Sequence, residues 1–128
     1  MAERGEILEE IIADLISANR TIPVIVEGEK DVRALREIGL EGTILTVYRG
    51  NSLVNLTEEV AARYTEVIVL TDWDRTGGRI ARRLALFFRS ESVACDLEFR
   101  RRLIKVSGGE IRTVEALPAF RRNLRKRS

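Results

Sequence analysis

Two short stretches carry the residues with chemistry to offer: VIVEGEKD, residues 24–31, and VIVLTDWDRTGG, residues 67–78. In each, an uninterrupted apolar run stops on an acid, Glu27 in the first and the pair Asp72 and Asp74 in the second. Packing gives no reason to set like charges there, and carboxylates placed side by side raise one another's pKa. A hard divalent cation relieves that repulsion. Mg2+ prefers oxygen ligands, keeps several waters, and usually takes one or two protein carboxylates together with substrate phosphate. Mn2+ is the expected substitute, since it suits the same oxygen ligands. Gly77 and Gly78 would then let the backbone turn tightly and approach a ligand at a helix start. The competing reading is plainer: Asp is a favoured helix N-cap, and DRTGG could be only a strand-to-helix turn capped by Asp74.

The elements that must position these acids can be read from periodicity. Residues 3–18 repeat apolar positions every four residues, the stripe of an amphipathic helix. IPVIV, residues 22–26, is a short β-branched run without alternation, as in a parallel strand covered on both faces. A helix is expected over 29–38 with Gly39 as its stop, a strand over 43–47, a helix over 52–63, and a strand over 66–71. A helix over 76–89 would turn Ile80, Leu84, Phe87 and Phe88 inward and Arg79, Arg82, Arg83 and Arg89 toward water. Residues 92–97 suit a fourth strand. EFRRRLIKV then reads as a basic helix, SGGE as a turn, and 113–127 as a segment that Pro118 breaks. Alternating strands and helices predict an α/β fold: an open, mostly parallel four-stranded sheet with helices on both faces. Ligands of such sheets bind beyond the carboxyl ends of the strands, where both acidic stretches fall. The expected organisation is an N-terminal helix over 1–20 packed on a domain spanning 21–118, with a basic tail at 119–128.

Composition narrows the chemistry. The 128 residues contain no histidine, which removes histidine-based nucleophilic schemes and histidine-built zinc sites. The single cysteine, Cys95, excludes a disulfide framework. No apolar run spans a bilayer and the start is acidic rather than signal-like, so a cytoplasmic protein with no membrane partner is expected. The net charge of +2 hides an asymmetry: residues 98–128 carry +7 and the remainder −5. A basic end on an acidic body points to a polyanion, here nucleic acid, with Arg101, Arg121, Arg122, Arg125 and Lys126 as candidate contacts. Lys30 and Arg75, beside the two acidic stretches, join them. Charge alone fits a solubilising tail equally well.

A strand ending in EG with an Asp four residues beyond the Glu, followed by a later strand ending in DxDxxG, resembles the Toprim domain. That domain occurs in topoisomerases, primases, overcoming-lysogenization-defect nucleases and the ribonuclease that matures 5S ribosomal RNA. The resemblance covers about residues 21–118, and the whole chain is most similar to small stand-alone archaeal Toprim proteins. It implies that Glu27 acts as general acid or base near the metal and that Asp72 and Asp74 coordinate Mg2+. It also implies that Asp31 caps the following helix and supports the ligands, and that Gly28 and Gly77 are turn glycines. The loop YRGNS, residues 48–52, falls where relatives carry a glycine-containing loop, so Arg49 could contact phosphate. Glu115 in TVEAL could join the acids, or that segment could simply pack on the core. Trp73 departs from the family pattern, in which a small residue or proline often separates the aspartates.

Two functions of different class remain open on these residues. One is a Mg2+-dependent nuclease of the RNA-processing type. The other is a non-catalytic nucleic-acid-binding or accessory subunit with protein partners in a primase-, nuclease- or topoisomerase-like assembly. Topoisomerisation itself needs a tyrosine nucleophile on a separate domain, and Tyr48 and Tyr64 lie within the α/β body. A phosphotransferase using an aspartate nucleophile, as in haloacid-dehalogenase-type enzymes, would carry its DxD after the first strand rather than the third.

Overall fold

The computed structural model describes residues 3–47 and 52–127. Four parallel strands form one sheet: β1 (Val24–Val26), β2 (Ile44–Thr46), β3 (Glu66–Val69) and β4 (Ala94–Asp96), in the order β2-β1-β3-β4. β1 and β3 are direct neighbours, with Val24 beside Ile68 and Ile25 beside Val69. Their carboxyl ends therefore lie side by side, and the two acidic stretches leave the sheet at one edge.

Helices cover both faces. Because successive strand residues point to opposite sides, Val24, Val26, Ile68 and Leu70 join one buried cluster, and Ile25, Val67 and Val69 join the other. The first face is covered by α1 (Arg4–Asn19), α2 (Glu29–Ile38), α5 (Glu98–Ser107) and α6 (Leu117–Arg127). The second is covered by α3 (Leu53–Ala61) and α4 (Arg75–Ser90). α2 ends at Gly39, whose φ of 118° is left-handed backbone that glycine adopts without a Cβ clash. Among the described residues no helix is long and apolar enough to cross a membrane.

Three expectations need correction. Residues 119–127 are not a tail: they are the body of α6, which buries Phe120 and Leu124 against α1 and α2. Pro118 does not interrupt that helix but sits in its first turn, where its missing N–H has no intrahelical partner to lose. The preceding Val114–Ala116 forms a 3-10 turn. Phe87, expected in the core, is only half-buried, and the Arg83 guanidinium lies over its ring at 5.8 Å from the centroid.

Candidate metal centre

Glu27 follows β1 directly and is buried at 8% exposure. Its Oε2 accepts a hydrogen bond from the Asp72 backbone N–H at 2.8 Å, so the end of one strand is fastened to the end of its neighbour through a carboxylate. Asp72 in turn accepts from the Val114 N–H through Oδ1 at 2.8 Å. Asp74 is the N-cap of α4, and its Oδ1 accepts from the Gly77 N–H at 2.7 Å. The capping role and the metal role are not exclusive, because a cap uses one oxygen. Among the described residues, no donor reaches Oδ2 of Asp72 or of Asp74. Asp31, also buried, accepts from the Gly28 N–H at 3.1 Å and closes the first turn of α2, as expected of a capping acid.

The tight turn depends on Gly77. A Cβ there would lie 1.8 Å from the Asp72 carbonyl oxygen, an impossible contact, and the Gly77 carbonyl also accepts from the buried Thr71 hydroxyl at 2.8 Å. Trp73 packs against the buried cluster of the first face. Its indole Nε1–H donates to the Ile111 carbonyl at 2.7 Å, and its backbone N–H donates to Arg112 O at 2.9 Å. Together with the Val114 bond to Asp72, these pin the DWD turn to the strap 111–114. The large residue between the aspartates is thus a fastener for the DWD turn.

The acids perturb one another. Burial pushes Asp72 up from 3.8 to about 6, and the charges of Asp31, Glu27 and Asp74 push in the same direction. Asp31 is also raised, by burial first and then by the charge of Glu115. Glu115 is therefore an exposed neighbour of the cluster, while Val114 and Leu117 on either side of it are core. One residue of this neighbourhood was not singled out from the sequence. Arg100, half-buried on α5, donates from Nε to Thr71 O at 3.0 Å and from Nη2 to Asp72 O at 2.8 Å. Burial lowers its pKa, and the charges of Glu27, Asp74 and Asp72 oppose that shift. It clamps the backbone of the DWD turn through two carbonyls. A cavity of about 470 Å³ opens beyond the carboxyl end of β4, with Arg100 in its wall.

The other described candidates pair with different acids or stand exposed. Arg101, chosen in place of Arg100, is exposed and pairs with Glu98 one helical turn away. Arg121 and Arg125 pair with Glu9, and Arg122 with Glu37. Lys30, Arg75 and Lys126 are exposed. Arg49 lies outside the described residues.

Among the described residues, no group of three or more acidic or cysteine side chains is placed to hold a metal ion. The acids form an open group instead: two carboxylate oxygens at a turn, a third carboxylate bonded to that turn, and a raised Asp72 whose charge a cation would offset. An all-oxygen, incompletely closed set of this kind fits a hard ion that completes its shell with water and substrate phosphate.

The pattern that defines the Toprim domain matches residues 23–106. The chain belongs to the Toprim family. Toprim domains form a divalent-metal-binding fold associated with nucleic acid, and this Toprim chain has relatives of its own size. A UPF0292 protein of Methanosarcina barkeri is 37% identical over 124 residues, covering 96% of this chain and 86% of that one. Another from Thermoplasma volcanium is 38% identical over 112 residues, covering 84% and 90%. The solved structure of a protein from Aquifex aeolicus superposes on this Toprim fold with a TM-score of 0.74 at 27% identity, covering 84% of this chain and 95% of that one.

Proposed function

We propose that this Toprim protein hydrolyses phosphodiester bonds in nucleic acid, with Mg2+ held by Asp72 and Asp74 and with Glu27 as the proton-transferring group. The observation that carries the reading is the bond between the Glu27 carboxylate and the Asp72 N–H, which sets a buried carboxyl against the turn bearing both aspartates. A bound Mg2+ would supply Lewis-acid polarisation of the phosphoryl oxygens and help orient water for in-line attack. The chain's own residues do the rest. Asp72 and Asp74 would hold the ion, Gly77 and the Trp73 and Arg100 contacts hold their turn in place, and Glu27 would take or deliver a proton. A positioned acid or base of this kind contributes roughly 10²–10⁴-fold.

The second reading, a non-catalytic binding or accessory module, is favoured by the same bond seen differently: a carboxylate that accepts from backbone is occupied in holding the fold. Incubation of labelled RNA and DNA with the protein and Mg2+ or Mn2+ separates the two. The nuclease reading expects cleavage that Glu27→Gln reduces by at least 10²-fold. Binding without cleavage under either ion would leave the accessory module in its place, and cleavage that survives Glu27→Gln would remove Glu27 from the mechanism.

A further inference from the structure

The arginines of this protein divide into two sets. Those of the basic C-terminal helix are engaged: Arg121 and Arg125 share Glu9, Arg122 meets Glu37, and Arg127 meets Glu110. Pairing with Glu9, Glu37 and Glu110 offsets part of the charge of this helix and weakens the field it has left to draw a polyanion. On α4 the situation is reversed. Arg75, Arg79, Arg82, Arg83 and Arg89 are all exposed, and among the described residues none of them donates a hydrogen bond or joins an ion pair.

Geometry puts these five on one face. At about 100° per residue, Arg75, Arg79, Arg82 and Arg89 fall within roughly 80° of helix surface, with Arg83 about 40° further round. Leu84 and Phe88, fully buried, occupy the opposite side. The stripe begins at Arg75, the residue after the Asp74 cap, and so starts at the candidate metal centre. Arg75 to Arg82 spans about 10 Å along the helix, the axial rise of about three phosphates of one strand. The stripe is also continuous with Arg100: a Cβ at Gly78 would find Arg82 Nη1 at 3.6 Å and Arg100 Nη2 at 3.8 Å.

We infer that the outer face of α4 is the track on which a nucleic-acid backbone lies as it enters the metal centre, and that α6 is not. The inference rests on the functional reading above for the identity of the polyanion, and it adds where the strand runs. Arginines without an acidic partner can each neutralise a phosphate and release a counterion, whereas those of α6 would first have to give up a carboxylate.

The test reads binding rather than cleavage. Fluorescence anisotropy with labelled single- and double-stranded RNA and DNA, in Ca2+, is followed from 50 to 200 mM salt for three proteins: the unaltered chain, the triple variant Arg79→Gln/Arg82→Gln/Arg83→Gln, and the control Arg122→Gln/Arg125→Gln. Each lost phosphate contact removes about 0.7–0.9 from the log–log salt slope. The triple variant should therefore lose about 2–3 from that slope and be spared roughly 20–40-fold of the weakening that salt causes in the unaltered chain. The control should keep the unaltered slope. A triple variant with an unchanged slope, or a control that loses as much, would overturn the α4 track while leaving nucleic acid as the partner. If the unaltered protein binds none of the four nucleic acids, the track and the functional reading fall together, and a protein partner for the stripe would take its place.

Discussion

Asp72→Asn separates the cost of gathering these acids from the use made of them. The asparagine keeps an Oδ1 acceptor for the Val114 N–H and removes only the charge. Asp72 is raised from 3.8 to about 6, so the fold favours its protonated form. Its stabilising contribution is fully present below the unfolded value near 3.8 and is lost as pH rises through about 6. At 1.36 kcal/mol per pKa unit the difference is about 3 kcal/mol, and residual solvent contact reduces it to about 1–2 kcal/mol. In chelator at pH 8, Asp72→Asn should therefore be more stable than the unaltered protein by about 1–2 kcal/mol, a rise in Tm of roughly 3–10 °C for a chain of this size. At pH 4 most of that advantage should vanish, because Asp72 is then protonated. Added Mg2+ should reverse the order, since a ligand at a hundred times its Kd stabilises the protein that binds it by about 2.7 kcal/mol. The assay is thermal unfolding by circular dichroism at both pH values, with chelator or Mg2+. Destabilisation of Asp72→Asn in chelator at pH 8, or a gain indifferent to pH, would refute the argument that charge repulsion and burial strain this turn.

Other outcomes follow from single contacts. Gly77→Ala must move the Asp72 carbonyl away from its new Cβ, and should cost about 1–3 kcal/mol in denaturant unfolding while also weakening cation binding. Trp73→Phe keeps the ring but loses the bond to Ile111 O, with an expected loss of about 1 kcal/mol and weaker protection of the 111–114 amides in hydrogen exchange. Glu9 is held down from 4.5 to about 2, first by its hydrogen bond to Arg121. The stability it contributes is present above about pH 4.5 and is lost as pH falls toward 2. Its 38% side-chain exposure limits that to about 1 kcal/mol, so Glu9→Gln should be less stable by that amount at pH 7 and equal to the unaltered protein near pH 2.

The sheet and its acidic edge were legible because their signals are local. Val24–Val26 and Val67–Val69 are unbroken β-branched runs, and each meets an acid and a glycine where the chain must turn. What could not be read depends on docking between distant segments. Arg100, Arg101 and Arg102 are consecutive, and a helix splays them in three directions. Arg101 meets Glu98 within the helix, but only the placement of α5 decides that Arg100 meets the Asp72 turn and Arg102 meets Asp14. Trp73 raised a question that the sequence could not answer, because its partner Ile111 lies 38 residues on. The basic C-terminus looked available for a polyanion because Glu9 and Glu37, which engage it, lie 85 or more residues away. The exposed arginines of α4 were legible as a water-facing side, but their lack of acidic partners was not.

The central claim is that the ends of β1 and β3 together hold a divalent cation. A crystal soaked in Mn2+ and measured at the manganese absorption edge tests it most directly. The account predicts one anomalous peak bonded to Asp72 and Asp74 beside the Glu27 carboxylate, absent when Asp72→Asn crystals are soaked in the same way. A peak at some other acidic group, or none at that turn under saturating Mn2+, would contradict it.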